Sequence, residues 1–141
     1  MPEHFADRLM DAIVAKNSRV CVGIDPVYER LPAHLLSNGW YDANSIANDV
    51  RRFCMPLIEA VAEPAVAVKL NSAFFEALGP AGPDLLQDLI GAALSLDLLV
   101  LTDAKRGDVG STARLYARAV FAHYVPFPMR HPDAVTVNPY T

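Results

Sequence analysis

Leu98-Leu99-Val100-Leu101-Thr102-Asp103-Ala104-Lys105-Arg106-Gly107-Asp108 decides the reading of this chain. A short, unbroken apolar run, Leu98 to Thr102, ends abruptly in a cluster of charges. A run of that length with no alternation reads as a strand buried on both faces. The segment before it has a different period. Leu85, Leu86, Leu89, Ile90, Ala93 and Leu94 recur at helical spacing, and Pro83 suits a first helical turn. The segment after it is helical again, with Leu115, Tyr116, Ala119, Val120 and His123 in register and Ser111 or Thr112 expected as its cap.

The same alternation extends in both directions. Phe5, Leu9, Ile13 and Val14 predict an opening amphipathic helix, broken at Asn17-Ser18. Arg19 to Ile24 reads as the first strand, ending at Asp25-Pro26. From Tyr28 to about Asn44 the chain is polar and contains prolines, which predicts a loop with a short helical turn. Ser45 is the expected cap of a helix whose Ile46, Val50, Phe53, Leu57, Ile58 and Val61 share one face. Ala65 to Leu70 is the second strand and Asp133 to Val137 the fourth. Buried strands alternating with helices define an α/β class with a parallel sheet. The expected unit, residues 1–141, is the N-terminal half of a single α/β-barrel domain, a partial (β/α)8 barrel cut after strand four. An open doubly wound sheet is the other architecture that fits, and a complete barrel takes about 250 residues.

Composition narrows the function. The chain has 141 residues, is 52% hydrophobic and carries a formal net charge of −4. That is enough apolar material for a core, and no basic surface is available for nucleic acid. No apolar run nears the roughly 20 residues that span a bilayer, so no membrane association is expected. The start, Met1-Pro2-Glu3-His4-Phe5, lacks the basic-then-apolar order of a secretory signal. Cys21 and Cys54 lie in apolar segments and read as buried free thiols of a cytoplasmic protein. None of the four histidines stands at ligand spacing from another His or Cys, so no metal site is expected.

In either architecture ligands gather where parallel strands end. Each exit carries charge or amide: Asp25 after strand one, Lys69 and Asn71 after strand two, Asp103, Lys105 and Asp108 after strand three, Asn138 after strand four. Asp103 and Lys105 are two apart, which on an extended backbone puts them on one side. With Lys69 from the neighbouring strand and Asp108 beyond a glycine turn, they form an expected alternating charge network. Flanking carboxylates favour the ammonium form of Lys105, which suits proton donation over Schiff-base attack. Other features weigh less. Arg106-Gly107-Asp108 spells an adhesion tripeptide, a length expected by chance. Gly79-Pro80-Ala81-Gly82 lacks the ending of a phosphate-binding loop. Phe74 and Phe75 read as packing at a helix start, His123 and His131 as ordinary surface or half-buried residues, and Trp40 and Tyr41 as packing for the inserted loop.

These residues resemble a known family. Asp103-Ala104-Lys105-Arg106-Gly107-Asp108-Val109-Gly110-Ser111-Thr112 is similar to the D-A-K-R-G-D-[IV]-G-S-T form of the D-x-K-x-x-D signature in bacterial type 2 orotidine 5'-phosphate decarboxylases. Three collinear segments agree: Val22-Gly23-Ile24-Asp25-Pro26 with V-G-[LI]-D-P, Lys69 to Glu76 with K-x-N-x-A-F-F-E, and Thr136 to Tyr140 with T-V-N-P-Y. The resemblance runs from about Val20 to the last residue. It implies a dimeric α/β barrel that converts orotidine 5'-phosphate to uridine 5'-phosphate without metal or organic cofactor. By motif, Lys105 resembles the proton donor to C6, Asp103 the carboxylate set against the substrate carboxylate, and Asp108 the residue reaching the partner subunit's site. Lys69 completes the catalytic set. Asp25 resembles a ribose-binding residue and Thr112 one near the ribose and the dimer contact, while Asn71 and Asn138 belong to the substrate-binding motifs.

The family's later strands, with their phosphate-gripping loop, are not in this sequence, so the chain alone is expected to lack enzyme-like activity. A related sugar-phosphate decarboxylase would share D-x-K-x-x-D but use magnesium, and K-R-G-D-V-G-S-T with N-x-A-F-F-E argues against it. A non-catalytic half-barrel that pairs with itself or with a C-terminal half is the reading from another class.

Overall fold

In the computed structural model, residues 4–37, 42–121 and 130–140 are described. The expectations for Trp40, Tyr41 and His123 lie outside those residues. Four parallel strands pair in chain order: β1 (Val20–Ile24), β2 (Ala65–Asn71), β3 (Leu99–Arg106) and β4 (Ala134–Val137). The helices are α1 (Phe5–Lys16), α2 (Ala43–Val61), α3 (Ser72–Glu76), α4 (Ala81–Ser95) and α5 (Gly110–Phe121). Two 3-10 turns, Tyr28–Arg30 and Ala33–Leu35, occupy the proline-containing loop after β1. No described helix is long and apolar enough to cross a membrane.

The sheet has two different faces because successive side chains alternate. Val68, Leu70 and Val100 point into the main core, where they meet Val50, Cys54 and Ile58 of α2, Phe75 of α3, and Leu85, Leu89 and Ile90 of α4. The other face divides along its length. Near the strand starts, Ala67 and Leu99 are covered by Phe5, Leu9, Ala12 and Ile13 of α1, and Val66 joins them where the β1–β2 register shifts between Val20 and Cys21. Toward the strand ends that face carries Lys69, Asn71 and Asp103, aligned by the pairs Lys69–Leu101 and Asn71–Asp103. Lys16 ties α1 down by donating to the carbonyl oxygens of Ala62 at 2.7 Å and Ala65 at 3.0 Å. A partly buried charge-assisted contact of this kind contributes roughly 1.5–3 kcal/mol. Asn17, in the left-handed region at φ 45°, ends the helix.

Several local expectations need correction. Val14 is 74% exposed, because it faces away from the sheet that α1 covers. The cap of α2 is Asp42, whose side chain accepts from the Ser45 backbone N–H while the Ser45 hydroxyl accepts from the Asp42 N–H. Ser45 is thus the third helical residue of a capping box. Ser111 and Thr112 lie inside α5, which already starts at Gly110, in the left-handed region at φ 58°. Cys21 is exposed. It pairs with Ala67 on the face that α1 covers only beside β2 and β3. Cys54 is buried as expected, and burial pushes its thiol up to about 12, so it is inert as a nucleophile.

Gly82 lets α4 approach α3. A Cβ at that position would lie 1.8 Å from the carbonyl oxygen of Phe75. Phe75 is fully buried and Phe74 packs on the core, as their reading as packing residues expects.

Candidate active site

β3 runs four residues further than its apolar stretch suggests, through Asp103, Ala104, Lys105 and Arg106. The extension is irregular. Thr102 pairs with Val135 and Arg106 with Val137, so residues 103–105 of β3 face the single residue Thr136 of β4. Lys105 takes a left-handed backbone at φ 48°. The expectation that Asp103 and Lys105 share a side holds, but not by plain extended geometry. A bulge re-aims the lysine.

The Asp103 carboxylate is the centre of the site. It is 6% exposed, and both oxygens are engaged. Oδ1 accepts from Lys105 Nζ at 2.5 Å and from the Thr136 hydroxyl at 2.7 Å, while Oδ2 accepts from Lys69 Nζ at 3.0 Å. Lys69 Nζ also lies 3.9 Å from Asp25 Oδ1. Hydrogen bonding from Lys105, then from Thr136, outweighs burial and, with Lys69, holds the Asp103 carboxyl far below the usual carboxylate range. Asp103 is therefore held as a carboxylate at neutral pH. The arrangement is two ammonium groups on one fixed carboxylate, with a second carboxylate beyond.

The remaining expected residues divide. Asn71 Oδ1 accepts from the Ala73 N–H at 3.1 Å and caps α3. Asn138 is exposed at the end of β4, its backbone N–H on the Arg106 carbonyl and its side-chain oxygen on the Tyr140 N–H. Both stand at strand exits on the same rim. Asp108 and Thr112 are exposed, and the Asp108 contact among described residues is to its neighbour's N–H, Val109, at 2.8 Å. The alternating network thus closes within the chain over Asp25, Lys69, Asp103 and Lys105, but not over Asp108. Thr136 was missed as a site residue. It stood in a recognised motif, but nothing in sequence spacing places a β4 hydroxyl on a β3 carboxylate. The outer side of the rim is held by an ion pair between Arg106 and Glu76, with the Arg106 guanidinium 5.9 Å from the Tyr116 ring centre. A cavity of about 560 Å³ lies on that outer side, beneath α5, lined by Thr102, Ala104 and Tyr116 among others. Asp108, Thr136 and Asn138 also line it, whereas Asp25, Lys69, Asp103 and Lys105 do not.

A parallel α/β sheet in chain order, with its charges gathered at the strand exits, is one half of an eight-stranded α/β barrel. A family model described as orotidine 5'-phosphate decarboxylase / HUMPS family matches residues 18–141, and the chain belongs to that family. Among curated proteins, the orotidine 5'-phosphate decarboxylase of Rhodopirellula baltica is 43% identical over 140 residues, which are 96% of this chain and 46% of that protein. That of Roseiflexus sp. (strain RS-1) is 42% identical over 123 residues, 87% of this chain and 39% of the relative. The solved structure of Leishmania donovani OMP decarboxylase superposes with a TM-score of 0.68 at 34% identity, covering 96% of this chain and 44% of that one. The chain spans about half the length of the relatives it matches.

Proposed function

We propose that these residues form the catalytic half of a barrel that decarboxylates orotidine 5'-phosphate to uridine 5'-phosphate in pyrimidine synthesis. The observation that carries this reading is the single Asp103 carboxylate held between the ammonium groups of Lys105 and Lys69. In the reaction the bond from C6 to the substrate carboxylate breaks and carbon dioxide leaves. The electron pair remains on C6, and the Lys105 ammonium delivers a proton there. Asp103 would face the departing carboxylate, and like charge disfavours that ground state. A fixed ammonium stabilises the carbanion as it forms. Lys69 holds Asp103 and bridges it to Asp25, which binds the ribose. Asn71, Thr112 and Asn138 complete the substrate contacts. Asp108 serves the partner subunit's site in a homodimer, which accords with its exposure here. The reaction needs neither metal nor organic cofactor, because the charge it develops is met by side chains already in place. The setting is the cytoplasm, in keeping with two free thiols.

The test joins this chain to the C-terminal half of the Rhodopirellula baltica relative and follows loss of orotidine 5'-phosphate by ultraviolet absorbance. This completed barrel is expected to turn over, and the 141-residue chain alone is not. Half a barrel leaves the charged face open to water, which weakens each electrostatic contribution. No turnover by a folded completed barrel would overturn the assignment. A second reading, a non-catalytic half-barrel, draws on the outer edges of β1 and β4, which have no strand partner among the described residues. It predicts association of the chain with a C-terminal half or with itself and no turnover in either state.

A further inference from the structure

We infer that Thr136 is a positioning residue for the Asp103–Lys105 pair, a single hydroxyl on β4 that fixes both the carboxylate and the lysine backbone. The geometry stands by itself, and its catalytic consequence rests on the decarboxylase reading. Residues 103–105 form the bulge that faces Thr136, between the regular pairs Thr102–Val135 and Arg106–Val137. A bulge takes a backbone N–H out of the ladder, and such a group needs another acceptor. The Lys105 N–H finds it in Thr136 Oγ1 at 3.1 Å. The same hydroxyl spends its only proton on Asp103 Oδ1 at 2.7 Å. A hydroxyl has one donor, so the two contacts fix its rotation.

Lys105 depends on this more than an ordinary strand residue would. Its left-handed backbone, φ 48°, is disfavoured for a residue with a side chain and persists only where surroundings hold it. The turn brings Nζ back to within 2.5 Å of the carboxylate two residues earlier. The ammonium groups of Lys69 and Lys105 cannot replace the hydroxyl, because each sits on a flexible stem that sets no direction for the carboxylate. Valine matches threonine in shape and offers neither contact, whereas serine offers both.

In the completed barrel, Thr136→Val is expected to lower kcat by about 10–100-fold, the scale of a misplacement near 1 Å. KM for orotidine 5'-phosphate should change much less, and Thr136→Ser should keep most of the turnover. A general loss of folding would lower the two variants' thermal midpoints without this split. Should Thr136→Val unfold at the assay temperature, Thr136→Ala serves as the second hydroxyl-free variant. A hydroxyl-free variant with normal kcat, or a serine variant as impaired as valine, would overturn the inference. Hydrogen exchange of the Lys105 amide judges it without any assay of turnover. Exchange should quicken in the hydroxyl-free variant and stay slow in Thr136→Ser, and equal rates in all three proteins would refute the contact. An inactive parent barrel with that exchange pattern intact would defeat the decarboxylase reading and leave the positioning role standing.

Discussion

The ammonium of Lys69, on β2, donates to Oδ2 of Asp103, on β3, at 3.0 Å across 34 residues of sequence. The contact joins two strand exits that share a face, because Asn71 pairs with Asp103 and Lys69 with Leu101. It leaves Oδ1 for Lys105 and Thr136, so one carboxylate organises groups from three strands.

Replacing Lys105 by alanine in the completed barrel should abolish decarboxylation while orotidine 5'-phosphate still binds. Loss of a positioned acid typically costs about 10²–10⁴-fold, and loss of the positive charge opposite the carbanion adds to that. Turnover assays beside calorimetric binding separate the two effects. A variant with near-normal turnover would remove Lys105 from its role.

Asp108 is exposed and holds nothing beyond the backbone next to it among the described residues. If it serves a partner's site, mixing Asp108→Ala and Lys105→Ala subunits should restore part of the activity, because one site of each mixed dimer is then intact. Verified mixed dimers that remain inactive would place Asp108 outside the shared site.

Stability should fall in acid through Asp103. Its folded carboxyl titrates far below the unfolded value of about 3.9, owing first to the Lys105 hydrogen bond. A depressed folded value stabilises above the unfolded value, and that share is lost as pH falls toward the folded one. Asp103→Asn should therefore be less stable than the parent at pH 7, with the difference shrinking toward pH 3. Urea unfolding at both values measures it, and a difference that does not change with pH would contradict the charge pairing.

Gly82→Ala should destabilise the fold with the charged cluster untouched. Its new methyl would meet the Phe75 carbonyl at 1.8 Å, and backbone cannot step aside as a side-chain tip can. Overpacking typically costs about 1–3 kcal/mol, visible as a lower thermal midpoint. An unchanged midpoint would mean that α4 and α3 are not packed so closely.

By itself the sequence determined the class of the fold and the identity of the charged residues. Strand and helix periods are local properties, so Leu98 to Thr102 and Leu85 to Leu94 could be read one after the other. The charges at the exits of such strands belong on one rim whatever the loops do, since parallel strands all end on the same side. The tertiary structure decided what local pattern cannot carry. Pairing of β3 with β4 opened the bulge at 103–105 and set Lys105 at φ 48°. It also brought Thr136 onto Asp103, a contact between residues 33 apart. The exposure of Cys21 was settled by which strands α1 covers. Periodicity says which face a residue takes on its own strand. Which atom it meets there depends on the register and irregularity of the strand beside it, and those are fixed only when the sheet assembles.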